Sequence, residues 1–392
     1  MRIAFYAPLK APTHAVASGD RRVARLLMDA LRLAGHRVEL VSELRSFDGS
    51  GDQAHQLAVQ QQGAAIAQEL IARWQSTGQA QAPDLWFTYH LYYKAPDWLG
   101  PVVCRALGLP YVVAEASHAP KRAQGPWRIG HAAVQDAIGL ADMLVCPTGH
   151  DVAGLRPFAQ PRCSIVRLPP FLDPAPYQRA ARKRQLYRRR LQTAHGLAPD
   201  MPWMLVAAMM RHGDKLASYQ VLAQTLEQLQ DLPWRLLVAG DGPARAEVAA
   251  LLQHAAPGRC VFLGACDARS MAALYAAADL SIWPAVNEAY GMAMLEAQAA
   301  GIAVVSCATR GVPDVVRDGE TGLLAAVIEP VALANCARAL LSDPQRRLVM
   351  GHAAARFIAR ERSLAQAADT LRLALASVID ARAAAGRQAV CP

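Results

Sequence analysis

Two glutamates flank a glycine where an apolar strand passes into an apolar helix. Glu288 precedes Gly291 by three residues, and Glu296 follows it by five, inside a helix that Gly301 ends. The first amides of a helix have no intrahelical partner and lie at the positive end of its dipole, and a glycine lets an anion approach them. Ionised carboxylates only accept hydrogen bonds and so suit hydroxyl groups. The stretch therefore predicts a ligand with polyol at both ends and phosphate between them, such as a nucleotide sugar.

This stretch resembles the signature of the family 4 (group 1) retaining glycosyltransferases of the GT-B fold, a Glu-x7-Glu pattern with Tyr290 and Gly291 after the first acid. Four neighbouring segments resemble the C-terminal domain of that family in the same order: 261–264, 274–279, 311–316 and 318–324. The resemblance is tight over roughly 200–325 and looser over the first half. It implies transfer of a hexose, with retention, from a nucleoside diphosphate sugar to a hydroxyl of a glycan, glycolipid or lipopolysaccharide-type acceptor.

Two cations follow the predicted strand 203–209, at the edge where open α/β sheets bind ligands. Arg211 and Lys215 are placed there to neutralise a leaving diphosphate, and the alternative is a pair of solvated loop cations. In the family, an Arg and a Lys of this loop have that role; here their spacing is four and no glycine follows Lys215, which departs from the pattern. The resemblance extends the predicted donor site to a set of neighbouring residues: Tyr290, Gly291, Met292, Ala293 and Glu296. Glu288 is expected to face the donor sugar, and Glu296 the ribose.

Two segments of the first half also follow predicted strands. Ser18, Gly19 and Asp20 precede a predicted helix over 21–34, and its N-terminus offers a second place for phosphate or sugar. The family usually has a pair of glycines here, so Gly19 is the donor-binding match and Asp20 a candidate N-cap. His118 follows the predicted strand 111–116. The resemblance implies that His118 lies near the reacting sugar, and the alternative is a structural histidine.

Missing motifs limit the chemistry. The chain has no Asp-x-Asp, the pair with which metal-dependent nucleotide-sugar enzymes of the other common fold hold a divalent ion. We therefore expect no metal and no other cofactor, with helix dipoles, Arg211 and Lys215 in their place. GxSxG, HExxH and Walker A sequences are missing, as is a GxGxxG after the first strand, which argues against a dinucleotide oxidoreductase.

The elements that must position these residues alternate between short apolar strands and amphipathic helices. This pattern predicts an α/β fold of two Rossmann-like domains in the GT-B architecture, with an interdomain cleft. The chain has 392 residues, of which 53% are hydrophobic and 19% charged, too long for one core and too apolar for a disordered chain. The expected divisions are an acceptor-binding domain (1–170), a Pro-rich and then basic linker (171–194), a nucleotide-sugar domain (195–365) and a terminal helix that packs back on the first domain (366–392).

The linker carries much of the net charge of +9, because seven of the twelve residues from 179 to 190 are Lys or Arg. This basic run is either a solvated helix or a contact for an anionic membrane or lipid-linked acceptor. A nucleic-acid partner is not expected, because Tyr187 is the only aromatic residue between 179 and 190. We expect a cytoplasmic protein, peripheral at the inner face of the membrane if the basic segment binds lipid. Eight scattered cysteines are expected to be mostly buried free thiols.

Three other functions stay open at this stage. A sugar phosphorylase or epimerase of the same fold would be favoured by an orthophosphate-dependent reaction on a free sugar. A catalytically inactive homologue would bind a nucleotide sugar without turnover and act as a scaffold. A basic nucleic-acid binder would bind in a strongly salt-dependent way and ignore nucleotide sugars.

Overall fold

A computed structural model describes residues 1–16, 18–76 and 81–388. The chain divides into two compact units, each built on a six-stranded parallel sheet. Unit 1 comprises Met1–Pro169 together with the chain from Leu364 onward, and unit 2 comprises Pro170–Ser363. The predicted α/β class with two Rossmann-like domains is confirmed.

Unit 1 has its strands in the order β2-β1-β3-β4-β5-β6. Its strands are β1 (Arg2–Tyr6), β2 (Arg37–Ser42), β3 (Leu85–Leu91), β4 (Tyr111–Ala116), β5 (Met143–Cys146) and β6 (Ser164–Arg167). Its first five α-helices are α1 (Gly19–Leu33), α2 (Gln53–Ser76), α3 (Gly100–Leu107), α4 (Arg128–Leu140) and α5 (Gly149–Leu155), and short 3-10 helices cover Pro120–Arg122 and Arg156–Phe158. The central strands β3 and β4 are almost wholly buried, as expected for a parallel sheet covered on both faces.

Asp97 ties the segment after β3 to the sheet. Its Oδ1 accepts the backbone N–H groups of Leu99 and Gly100, at 2.9 and 2.7 Å, where α3 begins. Its Oδ2 accepts the hydroxyl of Tyr111 on β4, at 2.9 Å. Asp97 is almost fully buried, so these bonds fix the course of the chain from β3 to α3.

Unit 2 has its strands in the order β12-β11-β10-β7-β8-β9. Its strands are β7 (Trp203–Ala207), β8 (Arg235–Ala239), β9 (Cys260–Gly264), β10 (Leu280–Ile282), β11 (Ala303–Cys307) and β12 (Gly322–Ala325). Its helices are α6 (Ala175–Ala181), α7 (Arg184–His195), α8 (Asp214–Glu227), α9 (Arg245–Ala255), α10 (Ala268–Ala277), α11 (Met292–Ala299), α12 (Val312–Val315), α13 (Pro330–Leu341) and α14 (Pro344–Glu361).

Each sheet has one point at which its connections reverse direction. In unit 1 this switch point lies between β1 and β3, and in unit 2 between β7 and β10. Loops that leave the carboxyl ends of the two strands at a switch point go to opposite faces and leave a crevice, where open α/β sheets bind their ligands. The topology therefore marks one place in each unit at which a site is expected.

The last helix, α15 (Leu364–Gln388), belongs to unit 1 and packs against α1. The helix begins two residues before the terminal segment that was predicted from the sequence (366–392). Arg382 on α15 lies 3.2 Å from the carboxylate of Asp142, which is almost buried before β5. Residues 389–392, the end of the predicted terminal segment, lie outside the described residues.

The basic segment predicted as a linker folds as part of unit 2, where α6 and α7 pack against α10. Two of its cations are held by one carboxylate: Asp279 lies 2.5 Å from Arg184 and 2.9 Å from Arg188. The same carboxylate accepts the backbone N–H of Trp203 at 2.8 Å, and the Arg188 guanidinium lies 4.0 Å from the Trp203 ring centre. Asp279 thus joins the basic segment to β7, which begins at Trp203. Asp279 itself lies in the stretch 274–279, which resembles the family.

The other five cations of this segment are exposed: Arg179, Arg182, Lys183, Arg189 and Arg190. Among the described residues, no helix combines the length and apolar character needed to cross a bilayer. Three cysteines, Cys104, Cys146 and Cys307, are buried, and four more are half-buried free thiols. Cys391 lies outside the described residues.

Candidate active site

An ion pair marks the switch point of unit 2. Lys215 on α8 donates through its ammonium group to Oε2 of Glu288, in the loop after β10. The indole N–H of Trp283 lies 3.4 Å from the same oxygen, and the ammonium lies 5.4 Å from the Trp283 ring centre. Among the described residues, Oε1 of Glu288 has no hydrogen-bond partner. Two residues predicted separately from the sequence are therefore brought into direct contact.

Hydrogen bonds from two directions hold the loop that carries Glu288. Val286 N–H donates to the Ser218 hydroxyl on α8 at 3.0 Å, and the Asn287 side-chain amide donates to Asp214 at 3.0 Å. From the other side, the Thr309 hydroxyl donates to the carbonyl of Ala285 at 2.8 Å. Ala285 and Asn287 both have positive φ, of 62° and 52°. Non-glycine residues in this region are strained and persist only where the surroundings determine them, as at many ligand sites.

Two helices begin beside the ion pair, and no side chain caps either of them. α8 begins after Gly213 and α11 after Gly291, which has φ of 79°. Their first amides are therefore available to an anion. Glu296 lies one turn into α11 and is 7% exposed. The other predicted donor residues of this stretch, Tyr290, Met292 and Ala293, are half-buried around the start of the helix.

Arg211 is exposed in the loop between β7 and α8, and among the described residues it forms no ion pair. The turn after β8 supports this loop from behind: Met210 N–H donates to the carbonyl of Asp241 at 2.9 Å. A Cβ at Gly240 or Gly242 would lie 1.9 or 2.3 Å from a backbone oxygen of the β7 loop, so only glycine permits this approach. The turn thus positions the loop that carries Arg211.

The start of α1 in unit 1 differs from the sequence prediction. The predicted N-cap Asp20 is wrong: Ser18 is the N-cap, and its hydroxyl accepts the Arg21 N–H at 3.2 Å. The helix begins at Gly19, two residues earlier than predicted, so the carboxylate of Asp20 is free to point elsewhere. Gly19 lies at the first position of the helix, and a Cβ there would meet no atom within 4 Å.

Asp20 lies instead against a histidine that the sequence analysis missed. His90 Nδ1 lies 3.2 Å from a carboxylate oxygen of Asp20 and 3.7 Å from one of Glu115. These contacts have ion-pair distances, but their angles do not make a directed hydrogen bond. Burial alone would lower the pKa of His90, but Glu115 and Asp20 raise it above its ordinary value. Burial would raise the pKa of Asp20, but contact with His90 lowers it. His90 and Glu115 both have positive φ.

These three residues lie at the carboxyl edge of the sheet beside the switch point of unit 1, since Asp20 follows β1, and His90 and Glu115 each lie one residue before the end of the neighbouring strands β3 and β4. The position of His90 near the end of a buried strand was the signal that could have found it. Within the described ranges, no group of three or more His, Cys, Asp or Glu side chains is arranged to hold a metal ion. The cluster places two carboxylates beside an imidazole whose pKa they raise.

His118 packs among rings. Its ring centre lies 3.7 Å from that of Phe158 and 4.9 Å from that of His131. Both ring nitrogens are buried and have no hydrogen-bond partner. Burial, together with His131, lowers the pKa of His118, so the ring is neutral at pH 7.

Comparison with known proteins finds a family match within unit 2. The family model "Glycosyl transferases group 1" matches residues 203–343, which include the Lys215–Glu288 pair and the uncapped helices α8 and α11. The predicted resemblance to the group 1 glycosyltransferases is therefore confirmed over this part of the chain.

A curated member of this group, the D-inositol 3-phosphate glycosyltransferase of Xylanimonas cellulosilytica, is 32% identical over 223 residues. The match covers 54% of this chain and 52% of that protein, so the chain spans about half the length of this relative. Two solved structures share the fold of nearly the whole chain. Sucrose-phosphate synthase from Thermosynechococcus elongatus has a TM-score of 0.72 and 18% identity, and covers 97% of this chain and 99% of its own. Anabaena HepE in complex with UDP has a TM-score of 0.71 and 15% identity, with 96% and 100% covered.

His90 generates a pH prediction. Its pKa is higher in the folded chain than the ordinary value of about 6.5. Its charged form therefore stabilises the fold below that value, and this contribution is lost as the pH rises through the folded pKa. We expect His90→Gln to cost about 1 kcal/mol near pH 5.5 and much less near pH 9, measured by thermal unfolding across that range.

His36→Gln is the matched control in unit 1. Burial lowers the pKa of His36, so its protonation opposes folding and the pH trend should have the opposite sign. A difference between wild type and His90→Gln that stays constant with pH would show that the charge on His90 contributes nothing.

Proposed function

We propose that the chain is a retaining hexosyltransferase that uses a nucleoside diphosphate sugar. The observation that carries the proposal is the Lys215–Glu288 pair, placed at a switch point between two uncapped helix starts in a group 1 domain. Cationic and N–H donors suit the diphosphate, and carboxylate acceptors suit the hydroxyls on either side of it. The acceptor is a hydroxyl of a glycan, glycolipid or lipopolysaccharide-type molecule.

The leaving diphosphate is stabilised by fixed charge. Arg211 is exposed without a carboxylate partner among the described residues, and Lys215 is half-buried beside Trp283. Together with the first amides of α8 and α11, these groups stabilise the charge that develops as the glycosidic bond breaks. No metal ion or other cofactor is required in this proposal, and loss of transfer in EDTA would contradict it.

Glu288 is oriented for a sugar hydroxyl. Lys215 and Trp283 occupy Oε2, which leaves Oε1 to accept a hydrogen bond from the donor sugar. The acceptor hydroxyl attacks the face from which the diphosphate leaves, and the departing phosphate oxygen takes its proton. This route needs no strong general base, and Glu288, held by a cation, serves to bind and orient.

Glu288 and Glu296 should differ in what they bind. Glu288→Gln should spare a free nucleoside diphosphate but lower transfer and sugar selectivity, whereas Glu296→Gln should weaken the free diphosphate and the nucleotide sugar alike. Each loss removes a charge-assisted hydrogen bond, worth roughly 1.5–3 kcal/mol, or about ten- to a hundredfold. Calorimetric titration measures binding, and initial rates measure transfer.

The experiment first needs the right nucleotide. UDP-, GDP- and ADP-sugars are screened by thermal stabilisation, because a ligand at 100 times its Kd adds about 2.7 kcal/mol. Glu247→Gln is the matched control, since Glu247 is an exposed residue of α9 and loses the same charge. Equal weakening of the free diphosphate in Glu288→Gln and Glu296→Gln would refute the division of roles.

The sugar contact proposed for His118 can be separated from its ring packing. His118→Phe keeps a ring against Phe158 and His131 and removes both nitrogens. A sugar contact made in the transition state predicts an unchanged Tm with kcat reduced about tenfold, the equivalent of 1.4 kcal/mol. If this variant keeps the wild-type kcat, His118 has a packing role only and makes no sugar contact.

We further propose that the basic segment contacts an anionic membrane or lipid-linked acceptor at the inner face of the membrane. Five of its cations are exposed, and Leu186 beside them on α7 is 41% exposed. Each basic residue near an anionic bilayer contributes about 1 kcal/mol. Arg184 and Arg188 are excluded from this surface because Asp279 holds them.

Charge reversal of two exposed arginines tests this contact. Arg189→Glu with Arg190→Glu should weaken binding to phosphatidylglycerol vesicles several-fold in sedimentation, increasingly at low salt, and leave nucleotide binding unchanged. The control is the double reversal of Arg32 and Arg73 to Glu, which makes the same charge change at exposed helix positions of unit 1. Equal vesicle binding by wild type and the Arg189/Arg190 variant would contradict the membrane contact and support the alternative of a solvated helix.

A further inference from the structure

Unit 1 carries a cation–aromatic cluster that includes none of the predicted donor residues. It consists of Tyr93 and Lys94, which follow β3, and Arg122 and Trp127, which follow β4. All four side chains are half-buried at the carboxyl edge of the sheet. Because β3 and β4 are neighbouring strands, the loops after them meet at this edge.

Both cations lie over the same two rings. The Lys94 ammonium is 4.8 Å from the centre of Trp127 and 6.0 Å from that of Tyr93. The Arg122 guanidinium is 5.0 Å from the centre of Trp127 and 5.4 Å from that of Tyr93. The rings themselves meet edge to face, with centres 5.7 Å apart. Two positive charges thus share one aromatic pair.

The backbone around the cluster is fixed. The Trp127 indole donates to the carbonyl of Asp48 at 3.2 Å, and the Asp48 N–H donates to the carbonyl of Lys94 at 2.8 Å. Gly130 allows α4 to approach the loop after β3, since a Cβ there would lie 2.1 Å from the Tyr93 carbonyl oxygen. These contacts hold the cluster in place before a ligand binds, so that binding requires no rearrangement of these loops.

Among the described residues, neither cation has a carboxylate partner. The nearby carboxylate of Asp48 accepts bonds from Ser50, Gly51 and Gln56 instead. The Nε of Arg122 is buried and has no acceptor, so an incoming anion displaces no internal bond of that guanidinium. Like charges that share a ring pair repel each other, and an anion bound between them relieves this repulsion.

We propose that the cation–aromatic cluster binds the anionic group of a carbohydrate acceptor, either a phosphate monoester or a carboxylate. Arg122 and Lys94 pair with the anion, and the C–H face of the sugar ring packs on Tyr93 or Trp127. The inference rests on the proposed function, which supplies an acceptor, and it adds the chemical class of that acceptor.

Calorimetric titration of the full chain with three sugars tests the charge requirement. The probes are D-glucose 6-phosphate, D-glucuronate and D-glucose. At least one anionic sugar should bind ten times more tightly than glucose or better, and the stronger of the two identifies phosphate or carboxylate as the preferred group. Equal affinity for all three probes, or no binding of either anionic sugar, would overturn the proposal.

Matched substitutions test the geometry. Arg122→Gln and Lys94→Gln should each weaken the anionic sugar about tenfold at unchanged Tm, whereas Lys121→Gln should have no effect. Lys121 is an exposed neighbour that loses the same charge and has no contact with either ring. An equal loss in Lys121→Gln would show diffuse attraction only, and inorganic phosphate binding as tightly as glucose 6-phosphate would show an anion site without sugar recognition. Either result would overturn the proposal.

Titrations with nucleotides distinguish a failure of this proposal from a failure of the proposed function. If no nucleoside diphosphate or nucleotide sugar binds the wild type, the transferase function fails, while tight binding of an anionic sugar that Arg122→Gln abolishes still supports the site in unit 1. If nucleotides bind and transfer proceeds to neutral acceptors, but no anionic sugar binds, only the anionic-acceptor proposal fails.

Discussion

The arrangement of this protein depends on one constraint of parallel sheets, which is that all strands present their carboxyl ends at the same edge. Lys215 and Glu288 are 73 residues apart in the chain, yet they form an ion pair because β7 and β10 are neighbouring strands. The connections of the sheet reverse between these two strands, so their loops diverge and leave room beside the pair. Every proposed donor residue of unit 2 lies on a loop or helix start that this edge creates.

Backbone amide groups contribute to the electrostatics of that edge. Gly213 and Gly291 start their helices without a capping side chain, and this leaves the first amides of two helix dipoles available at one place. Hydrogen bonds from both sides hold the loop between them in position, including the strained residue Ala285. Donors fixed in advance stabilise developing charge without the cost of reorganising during the reaction.

Unit 1 also has a switch point, but its strand order and its chemistry differ from those of unit 2. Its switch point places Asp20 beside His90, and the next loops bring Lys94 and Arg122 onto shared aromatic rings. Carboxylates beside an imidazole suit hydroxyl groups, whereas paired cations on rings suit an anionic sugar. The two units therefore divide the proposed recognition between a diphosphate and an acceptor.

The sequence by itself predicted the fold class, the resemblance to the group 1 glycosyltransferases and a candidate donor site, because strand and helix periodicity and the Glu288-x7-Glu296 spacing are local properties of the chain. It also placed Arg211 and Lys215 at a strand end. Only the tertiary structure decided which side chains meet: it paired Lys215 with Glu288, turned Asp20 from an expected cap into a partner of His90, and used Arg184 and Arg188 to bind Asp279. The order of strands in a sheet is not encoded in any short segment, and contacts between residues from distant segments depend on that order.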